Sequence, residues 1–142
     1  MRVILHLTMN TQIYSDAVYV SGSHIAGAGR GVFARRPIKK GETIERCPTI
    51  ELPLHDTEHV HKTDLINYIY YLGDNKNQPV IALGYGSIYN HSEHPNAMYR
   101  DLLEHKTLDF IALRDINKDE EITVAYNQGK QKDTSPLWFM VK

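Results

Sequence analysis

Apolar positions along this chain come in short clusters rather than long stripes. Residues 16–21 (DAVYVS) and 31–35 (GVFAR) alternate and carry β-branched and aromatic side chains, which suit a half-buried pleated surface. Residues 42–47 and 49–54 read as two further strands, broken at Pro48 and Pro53 because proline lacks the N–H that a ladder needs. Residues 80–83 read as a short buried strand. Residues 98–103 and 108–113 read as a hairpin turning near 104–106, and 122–125 as a last strand. Only 55–72 breaks this rhythm. Leu65, Ile66, Ile69, Tyr70 and Leu72 recur at roughly helical spacing, with Thr63 placed to cap the start and Gly73 to follow the end. The pattern therefore predicts one short helix there. Polar turns fall at 37–41, 74–78 and 115–120, and 84–96, rich in Gly, Asn, His and Ser, reads as irregular. The sum is an α+β fold that is mostly β.

Length and composition narrow the classes. The 142 residues fit one domain and suffice to bury a core without staples. With 42% apolar and 23% charged residues, the composition disfavours disorder, collagen-like repeats and coiled coil. A net charge of −1 offers no basic excess of the kind that holds nucleic-acid phosphates, so no direct nucleic-acid contact is expected. The one cysteine, Cys47, cannot form an intrachain disulfide or a Cys-rich zinc site, which makes a reducing, intracellular location (cytoplasmic or nuclear) the default, with a secreted effector left open. The opening MRVILHL is too short for a signal segment or a membrane span, and no membrane role is expected.

Three segments carry chemistry. Gly27-Ala-Gly-Arg-Gly31 packs glycines closely, which lets backbone approach a ligand. It is neither a dinucleotide fingerprint nor a P-loop, because a strand follows it. Asn90-His-Ser-Glu-His-Pro-Asn96 is a dense donor and acceptor cluster set after apolar residues. Glu120-Glu-Ile-Thr-Val-Ala-Tyr126 is a strand ending in tyrosine. His55, His59 and His61 have metal-like density but match no tight zinc spacing, so they read as a solvated loop, and no metal is expected.

Gly-Arg-Gly-Val-Phe-Ala, then Asn-His-Ser-x-x-Pro-Asn, then Glu-Glu-Ile-Thr-Val-x-Tyr, in this order, resemble the SET domain of protein-lysine methyltransferases. The resemblance implies a fold of several small, short-stranded sheets with one short helix and a C-terminal pseudoknot. It divides the chain into an extension (1–15), the domain (16–127) and a tail (128–142) that packs over the site. It implies S-adenosyl-L-methionine as methyl donor, held by Gly29, Arg30, Gly31, Asn90 and His91. Tyr126 is the implied catalytic residue, and Tyr68 and Tyr99 the implied lysine-channel residues, with Tyr99 at a position that limits product methylation. Val124 stands at a second position that is aromatic in some relatives. Trp138 and Phe139 would close the site in place of absent Cys-rich zinc segments, or simply pack a chain end. The implied partner is a lysine of a protein or peptide, a histone or another basic protein. A homodimer stays open.

The chemistry suits these residue types. A lysine must be neutral to attack a methyl group, yet its ordinary pKa is about 10.4. A narrow channel walled by tyrosines removes water and disfavours the charged form, while phenol oxygens orient the nitrogen. Alignment supplies much of the remainder. The competing reading is a SET-like module that binds a peptide with weak or no turnover; absence of Tyr126 or Asn90 would have favoured it, and both are present.

Overall fold

The computed structural model describes residues 16–126. Among the described residues nine strands run in order: β1 (Val18–Gly22), β2 (Arg30–Ala34), β3 (Thr43–Glu51), β4 (Ile69–Leu72), β5 (Gln78–Ala82), β6 (Asn90–His91), β7 (Ala97–Leu102), β8 (Thr107–Ala112) and β9 (Glu121–Val124). One short α-helix, α1 (Thr57–Val60), lies between β3 and β4, flanked by 3-10 turns at Leu54–Asp56 and Asp64–Tyr68. The strands form two sheets, ordered β1-β2-β9-β6 and β4-β5-β3-β8-β7. Every pairing is antiparallel except β6 with β9. The mostly β architecture with one short helix is thus as the sequence pattern leads one to expect.

Apolar side chains from both sheets meet in one core. Val18, Val32, Ile44, Leu108, Phe110 and Ile122 are fully enclosed there. Across β3, β8 and β7 a buried carboxylate is matched strand by strand: Asp109 accepts from Arg46 Nε at 2.8 Å and Nη2 at 2.9 Å, and from Arg100 Nη2 at 3.4 Å. Arg46 and Arg100 are both its register partners, so the charge is satisfied by the ladder itself.

Two expectations are corrected. The helix expected over 55–72 is much shorter, and Ile69–Leu72 is a strand. Thr63 does cap, its side chain accepting from Leu65 N, but only a 3-10 turn follows. Ile69, Tyr70, Tyr71 and Leu72 pair with Ile81, Val80, Pro79 and Gln78, and β-branched and aromatic side chains prefer that pleated setting. Gly73, with φ of 87°, turns the hairpin rather than ending a helix. The break expected at Pro48 is also absent, because β3 changes partner there: Thr43 to Pro48 pair with β8, and Thr49 to Glu51 with β5. At that handover the missing N–H costs little, while Pro48 O still accepts from Leu83 N at 2.8 Å.

β9 is threaded between β2 and the 90–96 loop. Asn96, 2% exposed, holds it there: its Oδ1 accepts from Thr123 N at 2.9 Å and its Nδ2 donates to Glu121 O at 2.8 Å. The extension 1–15 and the tail 128–142, with Trp138 and Phe139, lie outside the described residues.

Candidate active site

Three stretches far apart in sequence meet on β9. Val32 and Phe33 of the Gly-rich segment pair with Ile122 and Glu121, while Asn90 and His91 pair with Thr123 and Val124. The motif strand is therefore flanked by the other two motifs. Val124 itself is fully buried in the core.

The Gly-rich turn is backbone laid open. Gly27 and Gly29 have φ of 76° and 75°, a conformation glycine adopts without strain. No atom lies within 4 Å of where a Gly29 side chain would begin. Arg30 is exposed and Gly31 buried. Arg30 O accepts from Asn90 Nδ2 at 2.8 Å, which ties the turn to the second motif. The same Nδ2 lies 3.0 Å from Glu121 Oε1 and 3.2 Å from Ser23 Oγ. Three acceptors around one nitrogen fix the orientation of the amide. They leave Asn90 Oδ1 with no hydrogen-bond donor among the described residues.

His91 and Tyr126 are coupled. Tyr126 N donates to His91 Nδ1 at 3.1 Å, so the neutral ring carries its proton on Nε2. Burial pulls the imidazole below its ordinary pKa of 6.5, against the opposing charge of Glu93. Tyr126 is fixed from two further sides: its hydroxyl donates to Tyr89 O at 2.8 Å, and its carbonyl accepts from Tyr99 OH at 3.1 Å. Burial raises the Tyr126 phenol to about 12, helped by Tyr68. Tyr99 is likewise pushed up to about 12, by burial and then by Asp101. Both phenols therefore stay neutral donors at physiological pH.

Tyr68 is 43% exposed, close enough to Tyr126 to act on its ionisation. Tyr70, read from the sequence only as an apolar position, is instead the ring packed on Tyr99, edge to face with centroids 5.0 Å apart. Its hydroxyl donates to Gly86 O at 2.7 Å. Two carbonyls of one loop, Gly86 O and Tyr89 O, thus receive the phenols of Tyr70 and Tyr126. Beneath that loop lies Glu45, 2% exposed, which accepts from Tyr85 N and Tyr89 OH, each at 2.9 Å. Burial raises its carboxyl pKa, and those hydrogen bonds oppose the rise. The Tyr89 ring is stacked on Phe110 at 4.1 Å. Tyr70 and Glu45 carry no signal in the sequence, because their partners Gly86, Tyr85 and Tyr89 sit in a loop remote along the chain. Asn96 and Glu121 were inside the quoted motifs but without a role.

The arrangement offers oriented phenols and carbonyls at the edge of an apolar core, and an open backbone turn beside them. Nucleophilic catalysis by Cys47 is disfavoured, because burial first and Glu45 second raise its thiol pKa. The histidines of the 55–61 stretch face other partners: His61 Nε2 meets Tyr71 OH, and His55 lies 3.4 Å from Asp56. Among the described residues no group of His, Cys, Asp or Glu is placed to hold a metal ion.

Comparison with known proteins agrees with this geometry. The SET domain family matches residues 29–127. A Schizosaccharomyces pombe histone-lysine N-methyltransferase, H3 lysine-37 specific, is 33% identical over 112 residues, covering 78% of this chain and 70% of that protein. A crystal structure of a Plasmodium falciparum protein described as a histone methyltransferase superposes with a TM-score of 0.63 at 34% identity, covering 79% of this chain and 94% of that one. A chain of Chaetomium thermophilum Polycomb Repressive Complex 2 shares the fold, with a TM-score of 0.68 at 22% identity, covering 83% of this chain and 16% of that one. The chain belongs to the SET-domain family of S-adenosylmethionine-dependent protein-lysine methyltransferases.

Proposed function

We propose that this enzyme methylates a lysine of a histone or similarly basic nuclear protein, and that the residues gathered on β9 are its working site. The observation that carries the reading is the convergence of Arg30, Asn90 and Tyr126 around one strand, through Asn90 Nδ2 to Arg30 O and Tyr126 N to His91 Nδ1. The Schizosaccharomyces pombe and Plasmodium falciparum relatives, both described as histone methyltransferases, support the substrate class. No described helix is long and apolar enough to cross a membrane.

The residues present fit the methyl donor. Gly29 and Arg30 offer open backbone, the Arg30 guanidinium suits a carboxylate, and Asn90 Oδ1 is an acceptor suited to an ammonium group. Gly29, Arg30, Gly31, Asn90 and His91 would hold the donor. Bound, it supplies a methyl on a positively charged sulfur. The chain does the rest. Tyr68 and Tyr99 wall a channel that strips water from the lysine and favours its neutral amine. Tyr126, held through its N–H, its carbonyl and its hydroxyl, aligns the amine with the methyl and keeps its own proton, since burial raises its pKa to about 12. Residues 16–127 form the catalytic domain on this reading, and Trp138 of the 128–142 tail covers the donor; Trp138→Ala would then weaken donor binding with the domain still folded.

The test is transfer of labelled methyl to purified core histones set beside acidic and neutral proteins, with mass spectrometry to locate the mark. Lysine methylation confined to histones or other basic proteins is expected. Efficient transfer to acidic proteins, or to a residue other than lysine, would overturn the assignment.

A further inference from the structure

We propose that Glu121 is the positioning residue of the donor turn, and that residue 31 is glycine to leave room for its carboxylate. The inference rests on the donor site described above. Glu121 reaches the backs of both donor-binding segments. Its Oε1 accepts from Ser23 Oγ at 2.7 Å and from Asn90 Nδ2 at 3.0 Å, and its Oε2 accepts from His24 N at 2.8 Å. Ser23 Oγ in turn accepts from Ile25 N at 2.9 Å, and Ser23 N donates to Gly29 O, also at 2.9 Å. One carboxylate on β9 therefore anchors the start of the 23–29 turn and sets the Asn90 amide. With Nδ2 turned inward to Glu121 and Arg30 O, Asn90 presents Oδ1 as its remaining acceptor. Register adds to this, for Phe33 pairs with Glu121, and the His24 ring packs edge to face on Phe33 at 5.0 Å.

Gly31 supplies the second, independent observation. It has no positive φ, so its backbone would accept alanine. A Cβ there would overlap the Glu121 carboxylate, lying 3.0 Å from Cδ, and would stand 3.2 Å from Asn90 Nδ2. The glycine is needed for volume, not conformation. Adding one methyl would push the carboxylate off Ser23 and Asn90.

Glu121 touches neither reacting atom, so its removal acts on donor affinity rather than on the chemical step. Charge-assisted hydrogen bonds are the stronger kind, and each tenfold in Kd is about 1.4 kcal/mol. Glu121→Ala, which loses all three bonds, is expected to raise the Kd for S-adenosylmethionine about a hundredfold. Glu121→Gln keeps an oxygen for Ser23 and Asn90 but turns an N–H toward His24 N, so about tenfold is expected. At saturating donor, kcat stays within about twofold of the parent, because the interaction lost is uniform binding.

The experiment is calorimetric titration of the full chain with S-adenosylmethionine, steady-state kinetics, and thermal unfolding of each variant. Gly31→Ala is added alone and with Glu121→Ala. The expected cycle is non-additive: Gly31→Ala weakens the parent markedly and the Glu121→Ala background less, since the overlap with the carboxylate is gone and only the 3.2 Å approach to Asn90 Nδ2 remains. Additive effects, an unchanged Kd in Glu121→Gln, or a fall in kcat with Kd unchanged would each overturn the role of Glu121. If Glu121→Ala unfolds, Glu121→Gln, which keeps the side-chain volume, carries the same test. Parent protein that binds no donor at all would instead overturn the site reading and this inference together.

Discussion

Replacing Asn96 by alanine tests how β9 is held in place. β9 shares only two register pairs with β2 and two with β6. The Asn96 side chain adds two bonds to that strand, accepting from Thr123 N at 2.9 Å and donating to Glu121 O at 2.8 Å. Thr123 is 9% exposed and Asn96 2%, so water does not readily replace either bond. A buried backbone group left without a partner costs about 1–3 kcal/mol. Two such groups, with some relief from water entering the vacated space, give a loss of about 2–4 kcal/mol. For a domain of this size that lowers the unfolding midpoint by roughly 10 °C. Urea unfolding followed by circular dichroism reads the free energy, and a thermal melt reads the midpoint. Asn117→Ala is the control, since Asn117 is exposed and its two bonds with Glu120 run through its own backbone, N donating to Glu120 Oε2 and O accepting from Glu120 N; it should stay within about 0.5 kcal/mol of the parent. An Asn96→Ala loss no larger than that of the control would refute the clamp.

Other consequences are as direct. The His91 imidazole should titrate below 6.5 with its proton on Nε2, because burial disfavours the cation and Nδ1 is occupied by Tyr126 N; nitrogen-detected NMR reads both, and a midpoint above 6.5 would contradict this. Since the folded pKa is depressed, this histidine's contribution to stability is present above 6.5 and lost as pH falls through the lower folded value. Glu45 has the opposite sign. Its folded pKa is raised above 4.5, so stability falls as pH climbs from there through the folded value, and Glu45→Gln should flatten that slope in urea titrations; an unaltered slope would count against it. Tyr99→Phe deletes the hydroxyl that donates to Tyr126 O and should shift the product toward higher methylation by mass spectrometry. A parent enzyme that already makes trimethyl-lysine as its main product would sink the idea that Tyr99 restricts methylation.

How far the chain could be read without coordinates follows from the range of the interactions. The strands around Tyr19, Val32, Phe110 and Ile122 announce themselves, since alternation and β-branching are local. The Asn90–Asn96 segment stands out for a similar reason: its donors and acceptors sit within seven residues. Ile69–Leu72 misleads because apolar residues spaced by three and four also fit a strand end next to a turn, and only the partner strand Gln78–Ala82 decides between them. Pro48 misleads because its cost depends on which strand lies opposite. Glu45, Tyr70 and Glu121 were silent, for their roles depend on Tyr89, Gly86, Ser23 and Asn90, each brought close by sheet topology rather than by sequence proximity.

On the proposed mechanism Tyr126 is the residue that aligns the amine. Methyl transfer to histone lysine should be compared between the parent enzyme and Tyr126→Phe, with S-adenosylmethionine affinity measured on the same samples. The hydroxyl that donates to Tyr89 O is the one group removed. Transfer should fall by about a hundredfold or more while donor affinity changes little, since the lost interaction acts in the transition state. Transfer by Tyr126→Phe at the parent's rate, with donor bound equally well, would contradict the account.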